Sequence, residues 1–525
     1  MSFSPGSLLR LTRAGFVLAR EGVFSDVDPT ILPPPARLPL ALAKLVARRS
    51  GGSNKGSSLG NLPAAINRLG PSYVKLGQFL ATRPDVVGPA VVNELERLQD
   101  RMAPFPRETA IATIEAAFGR PIEKVFIEIG EPVAAASIAQ VHRARVRDID
   151  GEREVAVKVL RPGVERRFKR DLGDMYFAAH LAERFIRDVQ RLRPVEVVDT
   201  MARTVRIEMD FRLEAAAASE FAENVADDHD FRVPRIDWDR TTKEVLTLEW
   251  ISGTPLSDIP ALAKKHDLRD LGRIVIQSFL RHAMRDGFFH ADMHQGNLFV
   301  DAQGRLAAVD FGIMGRLGFK ERRFLAEIIY GFIRRDYRRV AEVHFEAGYV
   351  PRIHKIEDFA QAIRAIGEPI HSRTADQISM AKLLTLLFEI TALFDMRTRT
   401  ELVLLQKTMV VVEGVARTLD PKLDMWSTSE PVVRSWIEEN LGPLGKVNDA
   451  GRALSSLARF AGNLPAFLQR TENIVTEFED MAEGGFELSE EAMRKIGVAA
   501  ARGQRLGHLA LWLIAAIGIV LLLRL

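Results

Sequence analysis

Polar and apolar positions change period along the 525-residue chain, and these changes predict its elements. From Leu62 to Phe118, apolar residues recur at helical spacing in strings such as NRLGPSYVKLGQFLATRPD and RETAIATIEAAFG. Short alternating strings follow, namely VFIEIG, SIAQVHRARV, REVAVKVL and, further on, EVLTLEWI. Alternation is typical of half-buried strands, and the helical stretch Val164–Asn224 separates the third string from the fourth. The pattern therefore predicts a helical extension and then a small antiparallel sheet with a helical insertion.

Beyond Ile259 the apolar spacing is helical almost throughout. The exception is GNLFVDAQGRLAAVDFG, which has the alternation and turn residues of two short paired strands. A small sheet lobe followed by a helical lobe is the order of the protein-kinase-like fold. We therefore predict an α+β, protein-kinase-like bilobal fold with an antiparallel-sheet N-lobe, a helical C-lobe and an N-terminal helical extension.

The string LGHLALWLIAAIGIVLLL, Leu506–Leu523, predicts a C-terminal transmembrane helix. Its 18 residues carry no formal charge except for His508 when that ring is protonated. At roughly 1.5 Å per residue the helix would reach about 27 Å, enough for the hydrocarbon core of a bilayer. Arg502, Arg505 and Arg524 flank it, and the positive-inside bias favours a cytoplasmic position for the preceding body. A buried core helix is the alternative.

The N-terminal string SLLRLTRAGFVLARE places Arg10, Arg13 and Arg20 among apolar residues. It fits a basic amphipathic helix on a membrane surface, a mitochondrial transit segment, or a helix packed on the body. TILPPPARLP and RRSGGSNKGSSLG break the pattern and indicate a flexible join near residue 60.

The predicted domains are an N-terminal segment and linker (1–60), a helical extension (61–125), an N-lobe (126–255), a C-lobe (256–440), a juxtamembrane segment (441–505) and a transmembrane helix (506–523).

The amino-acid composition excludes some kinds of site and of partner. The chain has no cysteine, which excludes disulfides, thiolate metal sites and thiol nucleophiles. Its net charge of +3, from 72 basic and 69 acidic residues, is too small to indicate nucleic-acid binding, and we expect no nucleic-acid partner. A hydrophobic content of 47% fits a globular body with some membrane character.

The string FFHADMHQGNLFVDAQGRLAAVDFGIMG carries candidate chemistry. Asp292 precedes Asn297 in D-x-x-x-x-N spacing, and Asp310 opens D-F-G 13 residues later. Phosphoryl transfer from ATP needs one carboxylate near the attacking oxygen, and an amide oxygen and a second carboxylate to hold Mg²⁺. Asp292 fits the catalytic role, and Asn297 and Asp310 fit the metal-ligand role. The alternative is a transition-metal site of His290, Asp292 and His294; otherwise His290 braces the loop.

Lys158 lies within VAVKV, a predicted strand that would aim its ammonium at the α- and β-phosphates of ATP. Such a lysine needs a carboxylate to orient it. The string RIEMDFRLEAAA offers Glu208, Asp210 and Glu214. Because Glu208 and Glu214 are six residues apart, we do not expect both to serve the same lysine.

Two further segments are candidates for nucleotide contact. EVLTLEWISG predicts a strand and a hinge, in which backbone groups near Glu249 and Ile251 would bind adenine. Upstream of the lysine strand, a nucleotide-binding lobe usually has a glycine-rich turn, because glycine lets amides approach phosphates. This chain instead has alanines and a serine, whose side chains should restrain the amides from closing over the γ-phosphate. The residues of this predicted loop are Ala134, Ala135, Ala136 and Ser137.

Together these motifs resemble the UbiB/ABC-one/ADCK family of atypical kinases, which is tied to ubiquinone biosynthesis. The resemblance covers about residues 65–320, and its most specific parts are the K-x-G-Q motif and the alanine-rich loop. The motifs are KLGQ at Lys75–Gln78, AAAS at Ala134–Ser137, VAVK ending at Lys158, EMD at Glu208–Asp210, HADMHQGN at His290–Asn297 and DFG at Asp310–Gly312.

The resemblance implies how these residues pair. Lys158 would pair with Glu214, and Lys75 would reach into the site and pair with Glu208 of the E-x-D motif, which ends at Asp210. Gln78 would occupy the pocket that a protein substrate otherwise uses. No A-P-E motif follows the D-F-G, so the sequence lacks a recognisable peptide-docking platform.

One departure concerns the catalytic loop. Met293 and Gln295 stand where the family usually has prolines, which predicts a looser loop. The residues expected to carry the chemistry, Asp292 and Asn297, are present.

The resemblance also implies a function: a membrane-anchored kinase or ATPase that binds MgATP and supports ubiquinone biosynthesis. The expected partners are membrane lipids, polyprenyl-phenol quinone precursors and other ubiquinone-biosynthesis proteins, with a homodimer as a further expectation. A bacterial inner membrane is favoured over a mitochondrial inner membrane. The alternatives are a pseudokinase scaffold for a quinone-biosynthesis complex and a small-molecule kinase of the aminoglycoside/choline type. The second would not explain K-x-G-Q, E-x-D or the apolar tail.

Overall fold

The structure is a computed structural model, and it describes residues 5–25, 34–49, 61–81, 87–95, 98, 102–149, 151–185, 190, 193–371, 390, 393–396 and 400–441. Within these ranges the chain forms two compact units. The first contains the described residues through Ala215 and the segment Asp237–Trp250. The second contains Ala216–Ile236 and the described residues from Ile251 onward.

Both units contain helices and strands. The described helices, in chain order, are α1 Pro5–Arg20, α2 Pro34–Arg49, α3 Leu62–Leu69, α4 Pro71–Ala81, α5 Pro89–Leu95, α6 Arg107–Phe118, α7 Val164–Phe185, α8 Pro194–Glu208, α9 Phe211–Asn224, α10 Ile259–Leu262, α11 Leu268–Arg281, α12 Phe319–Arg334, α13 Tyr337–Glu346, α14 Ile356–His371, α15 Thr400–Leu419 and α16 Met425–Leu441. The described strands are β1 Glu128–Ala135, β2 Ala139–Asp148, β3 Gly151–Leu160, β4 Phe231–Arg232, β5 Val245–Glu249, β6 Gly253–Pro255, β7 Phe288–His290, β8 Leu298–Asp301, β9 Leu306–Ala308 and β10 Met314–Arg316.

The first unit contains the predicted antiparallel sheet, in the order β1-β2-β3-β5. On β3, Val155, Val157 and Val159 are fully buried and pack in one core with Ala110 and Ile114 of α6. Since side chains alternate along a strand, the intervening Lys158 lies on the opposite face. The last three alternating strings are confirmed as strands and the first is confirmed in part, and helix α6 covers one face of the sheet.

The first strand is shifted from its prediction. β1 begins at Glu128 rather than at Val125, and it continues through Ala135. Val125 and Phe126 follow a helical turn and are buried in the core beneath the sheet, so they do not extend the ladder. Pairing with β2 extends the far end of the strand, which includes the first two alanines of the predicted loop.

The helical extension has a core of its own, formed by α3, α4, α5 and Leu98. Gly70, at φ 98°, ends α3, and Pro71 begins α4, the usual positions for these two residues at helix ends. Gly77, the glycine of K-x-G-Q, faces Leu98 so closely that a Cβ there would lie 2.4 Å from Leu98 Cδ1. The absence of a side chain at this position therefore lets α4 pack tightly.

Helix α1 packs on this same unit. The guanidinium of Arg10 forms two hydrogen bonds, of 2.5 and 2.7 Å, to the carboxylate of Asp174 on α7, and Ala14 and Ala19 are buried. Of the three interpretations of the N-terminal string, the described contacts favour the helix packed on the body.

The second unit contains the predicted β8–β9 hairpin, with β6 antiparallel to β8 and β4 parallel to β9. A separate antiparallel pair joins β7 to β10, with His290 opposite Met314. Helices α11, α15 and α16 surround a core that includes Phe279, Leu298 and Trp436. This unit is largely helical, as predicted beyond Ile259.

No helix among the described residues is long and apolar enough to cross a membrane. The predicted span Leu506–Leu523 lies outside the described residues, as does the predicted juxtamembrane segment beyond Leu441. The mixed helix and sheet content agrees with the predicted fold class. The transmembrane helix stays a prediction.

Candidate functional site

The loop between β7 and β8 contains Asp292 and Asn297. The Asn297 side chain folds back onto the loop: its Nδ2 donates to the Asp292 carbonyl oxygen at 3.1 Å and lies 3.4 Å from Asp292 Oδ2. Because the amide nitrogen faces Asp292, the amide oxygen Oδ1 is the atom that would coordinate a cation. The carboxylate of Asp292 is 40% exposed, so a substrate can reach it.

His290 joins this loop to the D-F-G segment. Its Nδ1 accepts the backbone N–H of Asp292 at 3.1 Å, and its Nε2 donates to the carbonyl oxygen of Asp310. Burial lowers the pKa of His290, against the opposing effect of the Asp292 and Asp310 carboxylates. The ring is therefore neutral with its proton on Nε2, and both nitrogens are engaged in holding the backbone.

This arrangement decides between the two interpretations of HADMH. Since both ring nitrogens of His290 have backbone partners, the side chain is not a metal ligand. Among the described residues, no group of three or more His, Cys, Asp or Glu side chains is arranged to hold a metal ion. The transition-metal alternative is wrong, and His290 braces the loop as the other interpretation expected.

Asp310 lies in the segment between β9 and β10. Its Oδ1 accepts the N–H of Gly312 at 3.0 Å, and the preceding Val309 N–H donates to the carbonyl oxygen of Asn297 at 3.1 Å. Phe311 is buried with an edge contact to the His290 ring. One carboxylate and one amide oxygen are hard oxygen donors, and Mg²⁺ typically takes only one or two carboxylates from a protein, with phosphate oxygens and waters as the other ligands. The donor set of Asp310 and Asn297 therefore fits Mg²⁺.

Helix α15 supports the Asp292 loop from a distant part of the chain. Thr408 Oγ1 lies 3.0 Å from the carbonyl oxygen of Ala291 and 2.8 Å from that of Leu404 in its own helix, so its one proton is shared between the two acceptors. Gln295 Nε2 donates to Thr418 Oγ1 at 2.7 Å. Met293 is fully buried. Packing of Met293 and the side-chain hydrogen bond of Gln295 therefore hold the two positions at which the family usually has prolines, and the looser loop stays a prediction.

The support by Thr408 can be tested through stability. Thr408→Val keeps the shape of the side chain and removes the hydroxyl, so the buried carbonyl oxygen of Ala291 loses its donor. We expect the free energy of unfolding to fall by about 1–3 kcal/mol, measured by urea denaturation. Thr408→Ser, which keeps the hydroxyl, should recover most of this loss. Equal losses in the two variants would contradict the assignment, because the methyl group would then be the important part.

In the first unit, Lys158 on β3 pairs with Glu214 in the first turn of α9. Lys158 Nζ lies 2.8 and 3.0 Å from the two carboxylate oxygens, and the side chains are only 14% and 7% exposed. The ammonium also lies 5.4 Å from the ring centroid of Phe211. The pairing that the resemblance implied is present.

Asp210 fixes the start of the helix that carries Glu214. Its Oδ1 accepts the backbone N–H of Arg212 at 3.2 Å, and its carboxylate forms a two-pronged contact with the Arg212 guanidinium. The hydrogen bond from Arg212 lowers the pKa of Asp210. In these hydrogen bonds the partner of Asp210 is Arg212 rather than Lys75 or Lys158. Asp210 therefore influences Glu214 by capping the helix that carries it.

Lys75 on α4 pairs with Glu208, the last residue of α8. Lys75 Nζ lies 2.6 Å from Glu208 Oε2, and the side chains are 13% and 8% exposed. Glu208 and Glu214 are on different helices and face different lysines, as predicted. Gln78 follows Lys75 by three positions on α4, so it shares a helix face with Lys75, and it is half-buried.

The alanine-rich segment, predicted as a loop, is partly strand. Ala134 and Ala135 end β1 opposite Val141 and Gln140, and the N–H of Ala136 donates to the carbonyl oxygen of Ala139 at 2.8 Å. Ser137 is fully buried. The segment is a tight hairpin between β1 and β2, and it differs from a phosphate loop because its Ala136 amide is used within the turn.

The predicted hinge falls at the boundary of the first unit. Glu249 ends β5 opposite Val155, and the N–H of Trp250 donates to the carbonyl oxygen of Glu154 at 3.3 Å. Ile251 is buried and begins the next stretch of the second unit. Adenine contact by Glu249 and Ile251 stays a prediction.

Comparison with known proteins adds independent information. The ABC1 atypical kinase-like domain matches residues 97–344, and the UbiB helical domain matches residues 363–424. A Marinobacter nauticus protein named "Probable protein kinase UbiB" is 38% identical over 90% of this chain and 88% of its own length. A Pseudomonas putida protein of the same name is 39% identical over 78% of this chain and 76% of its own length.

A solved structure is also similar. The complex of Rv3197 with erythromycin from Mycobacterium tuberculosis is 23% identical to this chain, with a TM-score of 0.47. The match covers 77% of this chain and 98% of that chain. The similarity is too low to support an argument about function.

Proposed function

Because the chain belongs to the UbiB family of atypical kinase-like proteins, we propose that it is a membrane-associated ATP-dependent kinase or ATPase that supports ubiquinone biosynthesis. The observation that carries the proposal is the position of His290, which holds the backbone of both Asp292 and Asp310. Through this one side chain, the second unit joins the two backbone segments whose carboxylates would serve phosphoryl transfer.

Each residue has a proposed role. Asp310 and Asn297 would hold Mg²⁺, which when bound neutralises phosphate charge. Asp292, whose carboxylate is partly exposed, would orient the attacking hydroxyl or water and accept its proton. Lys158 would bind the α- and β-phosphates, with Glu214 fixing its direction.

The proposed class of phosphoryl acceptor rests on the helical extension and on the predicted C-terminal membrane span. The buried contact of Lys75 with Glu208 ties helix α4 to the segment that leads to Glu214, the partner of Lys158. This supports the part of the proposal in which the K-x-G-Q helix excludes a peptide substrate. We therefore propose that the client is a polyprenylated lipid intermediate or an enzyme that modifies one. Leu506–Leu523 would anchor the protein in a bacterial inner membrane, with its body in the cytoplasm.

The proposal is tested with the full-length protein in vesicles that contain anionic lipid and a polyprenyl-phenol. We expect MgATP-dependent phosphate release in these vesicles and little in lipid-free buffer. Asp292→Asn should lose at least about 99% of turnover, since general-base catalysis contributes roughly 10²–10⁴-fold. Asp270→Asn is the matched control, because Asp270 is an exposed aspartate of the same unit that pairs with Arg273 on α11.

A quinone-deficient strain separates catalysis from scaffolding. Asp292→Asn should fail to restore quinone synthesis at wild-type protein levels, while Asp270→Asn should restore it. Complementation by Asp292→Asn would instead support the pseudokinase scaffold. The small-molecule kinase alternative does not account for the UbiB family membership.

A further inference from the structure

Arg161, the residue after β3, contacts the alanine hairpin at two points. Its backbone N–H donates to the carbonyl oxygen of Ile138 at 2.7 Å. Its guanidinium donates to the carbonyl oxygen of Ala136 at 3.1 Å. One residue thus binds two of the carbonyl groups that form the turn.

The same guanidinium also holds the segment that precedes α6. It donates to the carbonyl oxygen of Ala103 at 3.1 Å, and its central carbon lies 5.2 Å from the ring centroid of Phe105. An arginine over an aromatic face is attracted by the ring quadrupole, and the planar fork of the guanidinium can serve several acceptors at once. Arg161 therefore connects the turn to the 102–105 segment.

Two further contacts join that segment to the hairpin. The N–H of Met102 donates to the carbonyl oxygen of Ala135 at 3.1 Å. The side chain of Gln140 accepts the Phe105 N–H at 2.9 Å and donates to the Phe105 carbonyl oxygen at 3.2 Å. The hairpin is thus held to the 102–105 segment by the backbone of Met102 and the side chain of Gln140 as well as by Arg161.

We propose that Arg161 is a positioning residue that locks the turn in a form whose Ala136 amide cannot donate to a nucleotide phosphate. This inference rests on the proposed function and explains how the turn is kept closed. A phosphate would have to take the Ala136 N–H from the Ala139 carbonyl oxygen, and the strand end would have to move. Arg161 opposes this movement because its guanidinium holds the carbonyl oxygen of the same residue, Ala136.

The variant Arg161→Met keeps much of the side-chain length and removes every guanidinium hydrogen bond. In the full-length protein without nucleotide, we expect at least about fivefold faster amide hydrogen exchange in the 134–140 turn. We also expect MgATP to bind roughly tenfold more tightly, since a released amide gains a charge-assisted hydrogen bond to phosphate. Arg161→Lys keeps the charge and one donor, so it should show a smaller change in both measurements.

The matched control is Arg145→Met. Arg145 lies on β2 of the same sheet and pairs on the exposed surface with Glu128. It should leave turn exchange and MgATP affinity as in the wild type. Melting temperatures of all variants show whether each one folds. If Arg161→Met does not fold, the exchange and affinity measurements are made on Arg161→Lys.

The outcomes separate this inference from the proposed function. Wild-type exchange in the turn of both Arg161 variants overturns the lock, whatever the nucleotide result. Faster exchange with unchanged MgATP affinity also overturns it, because the released amide would not reach phosphate. If wild type and Arg161→Met both fail to bind MgATP, the proposed function fails and the nucleotide part of the inference fails with it.

Discussion

Asp310→Asn is expected to lower MgATP turnover by at least about a hundredfold while the protein remains folded. Asparagine has the size of aspartate, and its Oδ1 can still accept the N–H of Gly312, which Asp310 accepts at 3.0 Å. The substitution removes the negative charge, however, and with it the stronger of the two proposed ligands for Mg²⁺. The loss should therefore appear as a higher Mg²⁺ concentration for half-maximal turnover as well as a lower rate.

The measurement is phosphate release from ATP across a Mg²⁺ titration, with thermal melting to confirm the fold. Asp270→Asn is again the control, because it replaces an exposed aspartate on the surface of the second unit. Wild-type turnover by Asp310→Asn, at wild-type Mg²⁺ dependence, would remove Asp310 from the metal site. The proposed kinase or ATPase activity would then need another residue as its main ligand for Mg²⁺.

The second large effect is expected at the buried pair of Lys75 and Glu208. Lys75→Met leaves the Glu208 carboxylate, only 8% exposed, without the ammonium 2.6 Å away. Removing one partner of a buried ion pair typically costs about 3–5 kcal/mol, because the remaining charge is uncompensated. We expect a loss of this size in the free energy of unfolding, measured by denaturant titration, and a similar loss for Glu208→Gln.

The double variant Lys75→Met, Glu208→Leu removes both charges, so it should lose less than the sum of the single changes. The pair of Arg68 with Glu21 is a control in the same extension. Arg68 is 56% exposed, and exposed pairs contribute only about 0–1 kcal/mol, so Arg68→Met should have a small effect. Additive losses at Lys75 and Glu208 would show that the two side chains stabilise the fold independently.

The sequence predicted the type of the sheet elements better than it predicted the boundaries between elements. Lys158 could be assigned to a strand because the valines around it recur with period two. The residues alone could not assign Glu208 and Glu214 to their lysines. The break between α8 and α9 depends on the cap by Asp210 and on contacts outside the segment. The family resemblance supplied this pairing.

Other features had no local pattern to reveal them. Ala134 and Ala135 were predicted as loop from their position upstream of the lysine strand, where a nucleotide-binding lobe usually has a glycine-rich turn. Pairing with β2 nevertheless extends the strand through both residues. Strands β7 and β10 have three residues each, too few for a period to be recognised. Thr408 was missed because its contact with Ala291 joins parts of the sequence that no periodicity connects.

The contact of Thr408 with Ala291 spans 117 residues, which has a consequence for synthesis on the ribosome. When translation has passed Asp310, every side chain with a proposed role in phosphoryl transfer is already present in the nascent chain. The loop that carries Asp292 lacks its anchor until α15 has emerged as well. A chain interrupted before residue 400 would therefore contain all of these side chains without the helix that contacts their loop, so the loop gains this contact only once α15 has been made.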